Sequence, residues 1–193
     1  LFSMWPGWRI VAPSNPFDYV GLMNSALLCE DPVLVIESVE LYNKVMPAAV
    51  DNDDYFIALG TAKVVREGAK FTVLTYLNMV GRALDVCEEH GIDAEIIDLR
   101  SLDRAGLDWE TIGASIEKTN HVIVLEQGCV TNSYGGLVVE EVQKRYFDHL
   151  DHPVRRIHGS EASPVVSKPL ERAAFVGAEE ILKGFEQAIA DQG

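Results

Sequence analysis

From residue 58 onward, short apolar runs alternate with apolar stripes at helical spacing, and this alternation restricts the chain to a sheet whose strands are joined through helices. Residues 71–76, 94–99, 121–126 and 154–158 read as strands. Between them, Val80, Ala83, Leu84 and Cys87 fall at i, i+3, i+4 and i+7 of a helix that Gly91 closes as a left-handed cap. A second helix is predicted over 108–118 with Trp109, Ile112 and Ile116 inward, and a third over 135–147 with Val138, Val142 and Tyr146 on one face. Ile181, Leu182, Phe185 and Ile189 mark a terminal amphipathic helix. Residues 62–65 and 71–76 flank Glu67-Gly68-Ala69, which predicts a hairpin whose first arm is an antiparallel edge strand on a mostly parallel sheet. The expected fold is an α/β three-layer sandwich.

The N-terminal stretch follows the same logic at smaller scale. Residues 9–12 read as a strand, Asn15 as the cap of a helix with Pro16 in its first position, and 33–37 as a buried strand. One strand–helix–strand unit cannot bury both its faces, so the rest of that domain is expected upstream of Leu1, and the chain reads as a fragment or a processed product. The organisation expected is the end of one α/β domain over 1–45, a linker over 46–57 containing Pro47 and the acidic run at 51–54, and a second domain over 58–193.

Thirty acidic residues against sixteen Lys and Arg give a net charge of −14, which disfavours nucleic acid as a partner. No apolar run approaches the roughly 20 residues of a membrane span, and a membrane partner is not expected. Cys29, Cys87 and Cys129 are few, odd in number and widely spaced, as in a reducing compartment.

Ligands in open parallel sheets bind beyond the carboxyl ends of the strands. Here those ends carry Tyr76, Asp98 to Arg100, Glu126 to Gly128, and His158 to Ser160. The run from Glu126 to the glycines 135 and 136 at a helix start is read as a tight turn in preference to a phosphate cradle, since it lacks G-x-G-x-x-G spacing and a P-loop lysine. His149 and His152 are spaced like metal ligands, but no third protein ligand can be assigned, and an exposed connection is the preferred reading. Cys129 has no assignable base and reads as an inert thiol. His121, at a strand start, reads as structural.

Six stretches in order carry a family resemblance: Arg9-Ile10-Val11-Ala12-Pro13; Ser25-Ala26 through Asp31-Pro32 to Glu37; residues 59–68; Ile97-Asp98-Leu99-Arg100-Ser101-Leu102; Glu126-Gln127-Gly128; and Ser167-Lys168-Pro169-Leu170-Glu171. Together they resemble the beta subunit of the thiamine-diphosphate-dependent component of 2-oxo acid dehydrogenase complexes, of pyruvate, branched-chain or acetoin type. Residues 103–108 are longer than the family's usual Arg-Pro-Leu-Asp segment.

The resemblance implies the end of a pyrimidine-binding domain followed by a transketolase-type C-terminal domain. It implies an oxidoreductase complex, a heterotetramer in which the partners are an alpha subunit and a second beta subunit. Thiamine diphosphate and Mg2+ would be bound by that complex and not by this chain alone, which would be inactive and hold neither catalytic nor cofactor-binding residues. It implies a potassium site built from the backbone carbonyls of Ala26 and Cys29 with Asp31 beside them, and a docking role for Asp151 toward the peripheral binding domain of the acyltransferase core. The compartment implied is the cytoplasm, or the mitochondrial matrix in a eukaryote. Two other classes stay open: the C-terminal domain of another thiamine transferase (transketolase or deoxyxylulose-phosphate synthase), and a non-catalytic binding module.

Overall fold

The computed structural model describes residues 2–44, 54–131, 133–162 and 166–192. Its small unit runs β1 (Arg9–Val11), α1 (Pro16–Leu28), β2 (Val33–Val35) and the short α2 (Val39–Tyr42). β1 and β2 pair in parallel, Arg9 opposite Val33. The strand–helix–strand reading holds, and Asn15 caps α1 by accepting the Asp18 N–H at 2.9 Å. α2 was not anticipated, and residues 46–53 of the expected linker lie outside the described residues. Its described end lies along α1: the Tyr55 ring stacks on Phe17 at 4.6 Å and the Ile57 N–H donates to the Gly21 carbonyl at 3.1 Å.

The large unit comprises β3 (Lys63–Arg66), β4 (Phe71–Thr75), α3 (Asn78–His90), β5 (Ala94–Asp98), α4 (Trp109–Thr119), β6 (Val122–Cys129), α5 (Tyr134–Tyr146), β7 (Arg155–Gly159), α6 (Lys168–Ala174) and α7 (Ala178–Ala190). Its five-stranded sheet has the order β3-β5-β4-β6-β7, parallel except for β3. The central strands are buried on both faces. Phe71, Val73, Ile96, Ile123 and Leu125 pack with Ala83, Val86, Ile181 and Phe185 of α3 and α7. The alternate residues Leu74, Ile97 and Val124 pack with Ile112, Ile116, Val138 and Val142 of α4 and α5. This is the expected three-layer sandwich. Within α7, Ile181 and Phe185 face inward as predicted, with Leu182 packed against the core, and only the last position differs, Ala188 being buried where Ile189 is 39% exposed.

The hairpin expectation fails. β3 is the antiparallel edge strand, but its partner is β5, which stands between β3 and β4. Gly68 shows how the chain gets across. A Cβ there would lie 2.2 Å from the Ala94 carbonyl carbon, so only glycine lets residues 67–70 pass over the start of β5. β4, apolar on both faces, gains a parallel neighbour on each side, whereas a hairpin would have left one of those positions to the half-exposed β3.

The two units share a core. Ile10 and Ala12 belong to the same buried cluster as Ile97 and Leu99. β1 runs against the segment that follows β5, where the Ala12 N–H donates to Arg100 at 2.8 Å and the Leu102 N–H to Ile10 at 2.9 Å. Part of the face that β1 was expected to present to an absent domain is thus covered from within this chain.

Candidate functional site

The carboxyl edge of the sheet gathers the polar residues that the strand pattern pointed to, and the structure turns most of them on one another. Glu126, fully buried at the end of the apolar part of β6, accepts from Arg156 at 2.6 Å, the Ser133 hydroxyl at 2.8 Å, the Gly135 N–H at 2.8 Å and the Tyr76 hydroxyl at 3.2 Å. Its carboxylate therefore occupies the amino end of α5, where an outside anion would otherwise bind. Gly135 makes this possible, since a Cβ at that position would stand 2.1 Å from Glu126 Oε1. Of the two glycines read as a tight turn, Gly135 admits an internal anion. Burial pushes the Tyr76 phenol far above its ordinary range, with the Glu126 charge adding to the effect, so Tyr76 remains a donor.

A second buried group joins the two units. Arg100 pairs with Asp18 of α1 through both carboxylate oxygens, and Asn15 Nδ2 adds a bond to Asp18 at 2.8 Å. Next to it, Asp98 accepts from the Ser14 hydroxyl at 2.5 Å and the Arg100 N–H at 3.0 Å. Two non-glycine residues adopt positive φ at this edge, Leu77 at 53° and Arg100 at 54°. Such conformations persist where surrounding contacts over-determine them.

Burial pushes Asp98 up to about 6, opposed by its two hydrogen bonds and reinforced by Asp18. Because the folded value lies above the unfolded one, the contribution of Asp98 to stability is complete below about pH 4 and declines as pH rises through about 6. Asp98→Asn keeps an oxygen for the Arg100 N–H and cannot ionise. The stability of Asp98→Asn relative to wild type should therefore rise by about 1 kcal/mol between pH 5 and 7 in urea melts. A difference that stays flat over that range would show that Asp98 does not titrate there.

Beside this edge, α2 and α6 add groups that the periodicity did not reveal. Asn78 Nδ2 donates to Glu40 at 2.7 Å and to Gln127 at 2.9 Å, and Arg82 donates to Glu40 at 2.8 Å. Glu40, Arg82 and Gln127 border a cavity of about 850 Å3 that Lys168 and Arg172 also line. Pro169 in the first turn, with Glu171 behind it, is the signal by which α6 could have been found.

The residues marked in advance are scattered. Ala26 and Cys29 stand at the carboxyl end of α1, where the Cys29 N–H closes on the Ala26 carbonyl at 3.2 Å, and Asp31 is exposed in the turn that follows. Asp151 lies more than a hundred residues away in sequence, in the turn before β7, held by its N–H to the Asn120 carbonyl at 3.0 Å with its side chain exposed. Cys129 ends β6 opposite Gly159. His149 stands 3.9 Å from Glu117, apart from His152, whose ring lies instead against that of His121. His158 Nδ1 lies 2.8 Å from the Gly159 carbonyl. What the edge can do chemically follows from its closure. Glu126, Asp98 and Asp18 each accept from fixed internal donors, so the edge is built to hold a shape.

The fold and this closed edge define a class of domain, and the profile of the transketolase C-terminal domain family matches residues 60–181. The chain belongs to that family. Over nearly its whole length it is also a homologue of 2-oxo acid dehydrogenase E1 beta subunits. It is 36% identical over 194 residues to the pyruvate dehydrogenase E1 component subunit beta of Mesostigma viride, covering 99% of this chain and 58% of that protein. It is 38% identical over 174 residues to the 2-oxoisovalerate dehydrogenase subunit beta of Pseudomonas aeruginosa, covering 82% of this chain and 49% of that protein. The chain thus spans about half the length of the curated relatives it matches. Among solved structures, a split gene transketolase in an inactive beta4 tetramer superposes with a TM-score of 0.74 at 20% identity, over 99% of this chain and 60% of that one, which is a likeness of fold.

Proposed function

We propose that this chain is the C-terminal region of a 2-oxo acid dehydrogenase beta subunit, supporting subunit assembly and receiving the acyltransferase core while a thiamine-dependent oxidative decarboxylation runs in the assembled complex. The observation that carries this reading is the colinear identity with a pyruvate dehydrogenase beta subunit along 99% of the chain. The transketolase alternative has a likeness of fold at 20% identity behind it and is the weaker of the two. An alpha subunit and a second beta subunit are the partners proposed. Leu27 and Leu28 at the end of α1, and Val39 and Tyr42 of α2, are exposed large side chains suited to such contacts. Among the described residues no helix is long and apolar enough to cross a membrane. The compartment proposed is the cytoplasm or, in a eukaryote, the mitochondrial matrix.

In the same proposal thiamine diphosphate is held by the assembled complex and not by this chain alone. The amino end of α5 is filled by Glu126, and the buried carboxylates Asp18, Asp98 and Glu126 are committed to internal donors. Calorimetric titration of the chain with thiamine diphosphate and Mg2+ should give no saturable heat. A tight, magnesium-dependent isotherm would overturn the assignment of the cofactor to the assembled complex.

Potassium at Ala26, Cys29 and Asp31 belongs to the same proposal, since a helix carboxyl end presents free carbonyl lone pairs and partial negative charge to a cation. For docking, Asp151 is proposed as the acidic contact. The direct test is titration of this chain with a folded acyltransferase peripheral domain. A saturable complex is expected, and no binding to any such domain of pyruvate or branched-chain type would remove the reading.

A further inference from the structure

The start of β6 carries a second polar site, on the opposite side of the sheet from the edge described above. A cavity of about 550 Å3 is lined there by Lys70, Thr119, His121, Asp151, His152 and Asp191. His121 is 1% exposed, and neither of its ring nitrogens has a hydrogen-bond partner among the described residues. Leaving a buried polar group unpaired is costly, so a ligand that engages one of these nitrogens would recover energy. The ring of His152 lies with its centroid 4.8 Å from that of His121, at an interplanar angle of 35°.

We infer that this cavity binds a divalent transition-metal ion of the zinc type through the imidazoles of His121 and His152, with the Asp151 carboxylate turning in as the third protein ligand. For an ion about 2.1 Å from each ligating nitrogen at a tetrahedral angle, two imidazole centroids stand roughly 5.3 Å apart, so the rings, now at 4.8 Å, must part by about half an ångström to admit it. Among the described residues no three His, Cys, Asp or Glu side chains already stand as a metal-binding group. The site is therefore a pair of adjacent rings that must part slightly plus one exposed carboxylate that must rotate. Asp191 is the less available acid, because Arg155 holds it at 2.7 Å.

The charged and titratable groups around His121 are His152, Asp191, Arg155 and Asp151, with Lys70 lining the same cavity. Burial, helped by His152, holds the His121 imidazole below its ordinary range and so in the neutral form that coordinates a metal. Pro153 follows His152 and restricts it to an extended backbone, which limits the turn that carries both Asp151 and His152. The sequence pairs His152 with His149, three residues away. The fold instead supplies His121, thirty-one residues earlier in the chain, as the missing ligand.

The test uses the chain stripped with a chelator and titrated with Zn2+ alone at about pH 7.5. One ion per chain is expected, with binding weakened roughly tenfold or more in His152→Ala and in His121→Gln, and essentially unchanged in His149→Ala. Binding should also weaken as pH falls, because protons compete for both imidazoles. His152→Ala changes a half-buried turn residue and keeps the test valid if His121→Gln fails to fold. Copper(II) substituted for zinc should show nitrogen hyperfine coupling from two imidazoles in the wild type and from one in His152→Ala. Absence of saturable binding, unchanged affinity in His152→Ala, or an equal loss in His149→Ala would each overturn the site.

Discussion

Replacing Arg100 with alanine is expected to lower the unfolding free energy by about 3–5 kcal/mol, the range for stranding one member of a buried ion pair. The partner left behind is Asp18, fully buried on α1, with Arg100 itself only 8% exposed. Arg100 Nε meets Asp18 Oδ2 at 3.1 Å, and its Nη2 bonds the other oxygen. Once the guanidinium is gone, Asn15 Nδ2 at 2.8 Å and the helix amino end are what remain near the charge. The pair also joins the small unit to the large one, so its loss should lower the cooperativity of unfolding as well as the midpoint. Asp18→Asn combined with Arg100→Ala should recover a large part of the loss, because no uncompensated charge stays buried. Urea melts of the two single variants and the double variant measure this. A single-variant loss under about 1 kcal/mol would mean that water reaches Asp18.

The second large effect concerns binding. Asp151→Ala should weaken the complex with a cognate acyltransferase peripheral domain by well over tenfold, since removing one member of a desolvated interfacial charge pair costs about 2–5 kcal/mol. The geometry suits the role. The Asp151 N–H is tied to the Asn120 carbonyl at 3.0 Å, which fixes the turn, while its side chain is exposed. The carboxylate makes no bond within the described residues, so the substitution should change stability by no more than a few tenths of a kcal/mol. Reduced binding can then be assigned to the interface. The assay should be run in the presence of a chelator, which separates docking from metal binding at the same carboxylate. An unchanged dissociation constant with a correctly folded partner would remove Asp151 from the interface.

The layers and most of the elements are legible in local sequence pattern. Strands buried on both faces must be apolar runs and covering helices must carry a stripe at helical spacing, so both are written locally. Caps such as Asn15 and Gly91 are likewise visible, because they act within a turn of the helix they end. The ordered motifs placed the chain in its family by the same linear logic.

Tertiary structure decided what depends on pairing between distant residues. Nearness in sequence suggested that β3 pairs with β4, but strand order is set by which neighbours bury the most apolar surface, and β5 entered between them. Gly135 in the first turn of α5 could be seen, but not the Glu126 carboxylate that fills the space it leaves, because the two approach through the fold of β6 and its following loop. His121 reads alone as a buried strand residue. Its meeting with His152 arises because the start of β6 and the turn entering β7 lie side by side at one edge of the sheet, a juxtaposition that no local pattern encodes.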